Sequence, residues 1–237
     1  MIGEEAMKTM KVNEITKILN AAIPYKDSWI TESYGAFNIE DSNKDVKKIL
    51  YCVTATNEVV EYFHKNKYDL LISHHPFLVD VPILIYHTAL DCCKDGLNDM
   101  WANFLEVKQA KHFSRNLGWV GKIDPISFDD LTTKIEKWIG YKIKGIKHSN
   151  GELITSVVIC TGLGGMVYHE AANTKADCYI TGELTSLSTN GFKAVIETGH
   201  TNSEFIGVYL FRKLLPQVQI DLAPSEIDYF GKEVVNY

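Results

Sequence analysis

The chain has no pair of cysteines at CxxC spacing, no apolar run near bilayer length, and fewer basic residues than acidic ones. Each absence removes a class of protein. Its five cysteines, Cys52, Cys92, Cys93, Cys160 and Cys178, are odd in number, which suits neither a disulfide framework nor a cysteine zinc cage and leaves reduced, mostly buried thiols. Crossing a bilayer takes roughly 20 apolar residues, and the start MIGEEAMKTMKVNEITK lacks the apolar core of a signal peptide. A cytoplasmic protein with no membrane contact is expected. With 24 Lys and Arg against 30 Asp and Glu, the formal charge is -6. Duplex binding is built on neutralising phosphates, so this balance argues against a nucleic-acid partner. What remains is an ordinary globular composition, 46% hydrophobic and 23% charged over 237 residues, enough for one large or two small domains.

The stretch LLISHHPF, residues 71–78, places two adjacent histidines after a short apolar run and before Pro76. The run from Tyr68 to Ser73 suits a buried strand of a parallel sheet. His74 and His75 would then sit at its carboxyl end, where open α/β sheets bind ligands. Taken alone, the pair could equally be one hydrogen-bonded core histidine and one exposed one. More residues have to converge on it.

Alternating elements surround this stretch. The pattern predicts strands over 49–53, 69–73, 156–160, 177–181 and 194–196, and helices over 58–65, 97–105, 128–139, 166–174 and about 202–215, with 118–125 a connection. Two β-α-β segments align without a gap. ILYCVTATNEVVEYFHKNKYDLLISHH and VVICTGLGGMVYHEAANTKADCYITGE share a strand ending in Cys, a helix, and an Asp opening the next strand; 160 - 52 and 177 - 69 are both 108. Further on, His87-Thr88-Ala89-Leu90-Asp91 and His200-Thr201-Asn202-Ser203-Glu204 both read H-T-x-x-acid. The inference is an internal duplication. The expected fold is α/β, with two similar three-layer α/β/α halves and a metal site in the cleft between them. Residues 1–122 would carry the HH and HTxxD motifs, and residues 123–237 the TGE and HTxxE motifs.

This arrangement gathers imidazoles and carboxylates at strand ends: His74, His75 and Asp91 from one half, Glu183, His200 and Glu204 from the other. Mixed nitrogen and oxygen donors suit Zn, Fe, Mn, Co or Ni rather than Ca, and a bridging carboxylate can hold two such ions about 3.5–4 Å apart. The His200 to Glu204 spacing puts both side chains on one helix face. His87 could be a ligand or a partner to one.

Together, DLLISHHPF, YHTALD followed by GLND, CTGLGGMVYHEAANTKADCYITGEL and ETGHTNSE resemble the Nif-three-like family, dinuclear-metal proteins often labelled GTP cyclohydrolase I type 2. The resemblance runs from about Leu50 to Glu204. It implies that His74, His75, Asp91, His200 and Glu204 are the ligands of two divalent transition-metal ions, and that the chain forms a homohexameric ring with the sites facing an internal cavity. Two departures stand out: only eleven residues separate His75 from His87, where the family inserts a helix, and an N-terminal W-D-N-x-G motif survives loosely as Asp27-Ser28-Trp29.

The functional expectation is a metal-dependent hydrolase acting on a nucleotide, phosphoester or amide-type small molecule, with Glu183 as catalytic acid/base because the resemblance does not place it among the ligands. The alternative is a non-catalytic metal-binding ring scaffold or regulator. Gly162-Leu163-Gly164-Gly165 lacks the Lys-Ser/Thr of a P-loop, so a structural turn is favoured there over anion binding. Tyr86, Trp101, Trp119 and Trp138 read as core or subunit contacts, and Cys92 and Cys93 as packing. His64, His112, His148 and His169 have no convergent partners in the pattern.

Overall fold

The computed structural model describes residues 9–27, 33–140, 142–147, 152–184 and 190–224. Ser28, Trp29 and His148 lie outside these residues. The chain runs β1 (Met10–Lys11), α1 (Val12–Ala22), β2 (Gly35–Phe37), β3 (Asp45–Val46), β4 (Lys48–Cys52), α2 (Asn57–Lys65), β5 (Leu70–Ser73), β6 (Ile83–Ile85) and α3 (Thr88–Cys92). It continues through α4 (Leu97–Phe104), β7 (Lys108–Phe113), β8 (Gly118–Ile126), α5 (Phe128–Ile139), β9 (Lys144–Lys147), β10 (Ile154–Cys160), α6 (Tyr168–Asn173), β11 (Cys178–Thr181) and β12 (Ala194–Glu197). Last come α7 (His200–Glu204), α8 (Gly207–Leu214) and β13 (Gln219–Leu222).

Two compact units result, each with its own sheet. The first holds the described residues of Met1–Cys93 and Phe205–Glu226, the second those of Lys94–Glu204. A division at 122/123 is therefore not what the chain packing gives. The hairpin of β7 and β8 joins the second sheet through the antiparallel pairing of β8 with β10, and β13 returns to the first sheet beside β4. Among the described residues the first sheet has the order β13-β4-β5-β6-β2, parallel except for β2, and the second β7-β8-β10-β11-β12-β9, with β10-β11-β12 parallel at its centre.

The duplication is visible in register. β4 pairs β5 as Ile49↔Leu70 through Cys52↔Ser73, and β10 pairs β11 as Val157↔Cys178 through Cys160↔Thr181, each partner displaced by 108. The cores repeat it too: Leu50, Cys52, Val59, Phe63, Tyr68 and Leu71 in the first unit answer to Val158, Cys160, Val167, Ala171, Ala176 and Tyr179 in the second, again 108 apart. Even a turn device recurs. Asp69 Oδ2 accepts from the Lys47 amide at 2.8 Å, and Asp177 Oδ2 from the Thr155 amide at 2.8 Å, so an aspartate opening the second strand ties down the start of the first in both units.

β4 and β5 are apolar almost throughout because they are covered on both faces, as central parallel strands are. Helix ends follow local chemistry. Thr56 caps α2 by accepting from the Val59 amide, Ser127 caps α5 by accepting from the Asp130 amide, and Gly140 ends α5 at a φ of 87°.

Three local expectations are corrected. Residues 118–126 form a strand rather than a connection, since pairing with β10 overrides the Gly and Pro in that stretch. The helix expected over about 202–215 is two helices separated at Phe205–Ile206, both of which are buried. The helix expected over 166–174 begins with a 3-10 turn at Gly164–Val167.

Candidate metal centre

His74 and His75 follow β5 directly. Their amides donate to the neighbouring strand end, His74 to Cys52 O at 3.0 Å and His75 to Val53 O at 2.8 Å, which anchors both at the carboxyl end of the first sheet. His87 precedes the first turn of α3, and the HTxxD spacing brings Asp91 round one turn later. His74 and Asp91 are buried, His75 and His87 half-buried. The three rings cluster with centroids 5.1–5.6 Å apart, and one nitrogen from each lies within 4.8 Å of the others. His74 Nε2 stands 3.9 Å from Asp91 Oδ2.

In the second unit Glu183 leaves β11 and His200 opens α7. His200 Nδ1 donates to Glu183 Oε2 at 2.9 Å, and its Nε2 lies 3.3 Å from Glu204 Oε1. Glu204 is buried. The hydrogen bond to Glu204 pushes the His200 pKa up to about 9; burial opposes this, while the charge of Glu204 and the bond and charge of Glu183 add to it. At neutral pH the metal-free imidazolium thus spans two carboxylates. A divalent cation taking the place of its Nε2 proton would keep a positive charge between the two carboxylates.

The histidines share one orientation. His74 Nδ1 is 3.1 Å from Tyr86 O, and a carbonyl only accepts, so Nδ1 carries the proton and Nε2 the lone pair. His75 Nδ1 is held by the Thr54 hydroxyl at 2.7 Å, and His200 Nδ1 by Glu183. Fixing one ring nitrogen so that the other faces a metal is how ligating histidines are held. The residues therefore fit a transition metal: nitrogen and carboxylate donors, with the imidazoles held through Nδ1 by their neighbours.

The glycine turn serves this set rather than a phosphate. Most of the amides in and beside it are engaged: Thr161 N with Asn98 Oδ1, Gly162 N with Ser203 Oγ, Gly164 N with Gly162 O, Gly165 N with Glu183 O, and Met166 N with Leu163 O. Gly162, at a φ of +62°, lies so close that a Cβ would stand 2.3 Å from Glu204 Oε1 and 3.4 Å from His200 Nε2. Only glycine leaves room for both side chains there.

Several supporting residues escaped the sequence reading. Thr54 holds His75. Ser203 accepts from Gly162 N and donates to His200 O, and Trp101 Nε1 donates to Ser203 O at 3.0 Å behind it. The signal was present in part, since Asn98 belongs to the GLND segment beside the HTxxD motif. Trp101 and Tyr86 are buried as expected, and Trp138 stacks on Phe104. Trp119 stacks on His112 and donates to Asp99 at 2.6 Å. Four of the five cysteines are buried and all are free.

Fold and site together define a two-unit α/β protein that carries a histidine-carboxylate set at the strand ends of each unit. The model of the Duf34/NIF3 family (NGG1p interacting factor 3) matches residues 10–82 and 79–228, and the chain belongs to this family. The two matched pieces meet at 79–82, inside the short segment between His75 and His87. The chain is 26% identical to a "GTP cyclohydrolase 1 type 2 homolog" of Methanocaldococcus jannaschii, over 93% of this chain and 100% of that protein. It is 23% identical to a protein of the same name in Clostridium acetobutylicum, over 87% and 90%. Among solved structures, "Reduced HcgD from Methanocaldococcus jannaschii" aligns with a TM-score of 0.82 at 23% identity, covering 92% of this chain and 99% of that one. A Bacillus cereus protein related to NIF3 aligns at 0.76 and 14% identity, covering 91% and 97%. These likenesses show the fold. Among the described residues no helix is long and apolar enough to cross a membrane.

Proposed function

We propose that this chain is a dinuclear metal-dependent hydrolase acting on a nucleotide, phosphoester or amide-type small molecule, working in the cytosol as a homohexamer. His74, His75 and Asp91 of the first unit and His200 and Glu204 of the second would hold two divalent transition-metal ions, drawn from Zn, Fe, Mn, Co or Ni. The observation that carries this reading is that each histidine has Nδ1 tied to a neighbour, while His74 Nε2 stands 3.9 Å from Asp91 Oδ2 and His200 Nε2 3.3 Å from Glu204 Oε1. Relatives named for GTP cyclohydrolase support it. The ions would supply a Lewis acid for a carbonyl or phosphoryl oxygen and bring the pKa of a water towards neutrality.

Within that reading, this chain's residues do three things. Tyr86 O, Thr54 and Glu183 hold the imidazoles; Gly162 keeps space beside Glu204; and Glu183, with its side chain 47% exposed, carries the proton.

The deep burial of His74 and Glu204, 1% and 2% exposed, favours a second reading: a ring scaffold or regulator whose metal is structural. Protein loaded with each metal and offered nucleotide, phosphoester and amide substrates separates the two. Turnover that follows metal content supports the hydrolase; a loaded, assembled protein with no turnover across the panel supports the scaffold.

A further inference from the structure

A second place for a ligand lies on the first unit, along the exposed face of α1. The amides of Val12 and Asn13 donate to Lys44 O at 3.2 Å and Ser42 O at 2.9 Å, which ties the loop after β2 to the start of the helix. Between loop and helix lies an open cleft of about 560 Å³, within the range of small-molecule sites. Asn13, Lys17 and Asn20 line it from one helix face, Asn38 from the loop, and Val12 and Ile39 are its apolar part. None of the candidate metal ligands lines it.

Three carboxamides of this cleft are each held by one end. The Tyr86 hydroxyl donates to Asn20 Oδ1 at 2.8 Å, which leaves the Asn20 Nδ2 hydrogens as donors. Asn13 Nδ2 donates to Asn43 Oδ1 at 3.0 Å and Asn38 Nδ2 to Val79 O at 2.6 Å, which leaves two amide oxygens as acceptors. Lys17 has no ion pair, and no carboxylate lines the cleft, among the described residues.

We propose that this cleft binds a monosaccharide phosphate. A hydroxyl both donates and accepts, so a sugar can meet the two amide oxygens and the Asn20 nitrogen together, while the Lys17 ammonium is a point charge for the phosphate. Val12 and Ile39 offer the carbon face of the sugar an apolar contact. A nucleotide fits less well, because among the described residues no aromatic ring lines the cleft to stack a base. Carboxamides fixed in advance also lower the ordering cost of binding.

The test uses the full chain, as purified and again after metal is stripped, with glucose 6-phosphate, glucose and inorganic phosphate as probes. NMR signals of Asn13, Lys17, Asn20 and Asn38 should move together on titration with glucose 6-phosphate, in both preparations. Glucose and phosphate alone should each bind at least about 10-fold more weakly, the scale of one charge-assisted hydrogen bond. Lys17→Ala should weaken sugar phosphate binding about 10-fold and Asn13→Ala about 5-fold. Both positions are exposed on α1, where alanine is the best helix former, so these variants keep the fold. Cleft signals unmoved through the millimolar range, or either variant binding as the wild type does, would overturn the proposal. So would phosphate alone binding as tightly as the sugar phosphate, which would reduce the cleft to an anion patch. Binding that vanishes with the metal, its shifts confined to the histidine-carboxylate sets, would overturn it as well and leave the hydrolase reading standing.

Discussion

Glu183 accepts the Nδ1 proton of His200 at 2.9 Å, while the opposite nitrogen of the same ring lies 3.3 Å from Glu204. One carboxylate thus orients the ring for the position that the other helps to form. If Glu183 also carries the reaction's proton, Glu183→Gln has two separable effects. Metal affinity at His200 should fall about 10-fold or more. At saturating metal, turnover should still be down about 100-fold, the scale of a general acid/base. A variant restored to full turnover by added metal alone would confine Glu183 to orienting the ring.

The proposal that the two sets serve one centre has its own test. His74→Ala and Glu204→Ala should each lower metal content from about two ions per chain while leaving the fold intact, and their effects should be non-additive, as for residues sharing partners. Metal titration of both single variants and the double variant decides this. Strict additivity, with one full-affinity ion retained in each single variant, would assign the sets to separate sites.

Gly162→Ala should damage the second unit's set without touching a ligand. The added Cβ would stand 2.3 Å from Glu204 Oε1, and the φ of +62° disfavours any L side chain. A loss of about 1–2 kcal/mol in stability is expected from the backbone alone. Weaker metal binding should accompany it. Urea denaturation and Co(II) titration measure the two; wild-type values for both would remove Gly162 from the site.

Asp177 sets a pH dependence distant from the ligands. Burial pushes its carboxyl up, but hydrogen bonds from the Thr155 hydroxyl and Lys193 and from the Thr155 amide outweigh it, bringing the pKa down to about 2. A depressed carboxyl contributes stability that is present in full above its unfolded value near 3.8 and is lost as pH falls towards 2. Because Lys193 is partly exposed, the contribution is about 1–2 kcal/mol. Asp177→Asn should therefore cost that amount at pH 7 and close to nothing at pH 2. Urea unfolding at the two pH values checks it, and an equal cost at both would refute the charge origin.

Assembly is expected to be visible in solution. Phe77 and Leu78, 57% and 59% exposed, follow His75 in the short segment before β6. Apolar side chains standing out of a surface mark interaction sites. Light scattering at micromolar concentration should give a multiple of 26.8 kDa, reduced by Leu78→Asp. A monomeric mass for the wild type would dismiss the hexamer.

The sequence by itself carried the duplication and the donor types. An ungapped offset of 108 and the H-T-x-x-acid pair can be read without coordinates, because a parallel strand covered on both faces must be apolar throughout and a helix brings residues four apart onto one face. Those two constraints are local. The β7–β8 hairpin was illegible for the same reason: β7, Lys108–Phe113, is exposed along nearly its whole length and has no apolar face, so its strand state comes from pairing with a distant segment. The break at Phe205–Ile206 and the return of β13 to the first sheet also depend on distant packing. At the site, the motifs could gather His74, His75, Asp91, Glu183, His200 and Glu204, and the family resemblance could single out all but Glu183 as ligands, but neither could say which ring nitrogen each histidine offers. That is decided by Tyr86 O, Thr54 and Glu183, which lie between 12 and 21 residues away in sequence and meet the rings only once the sheets have formed.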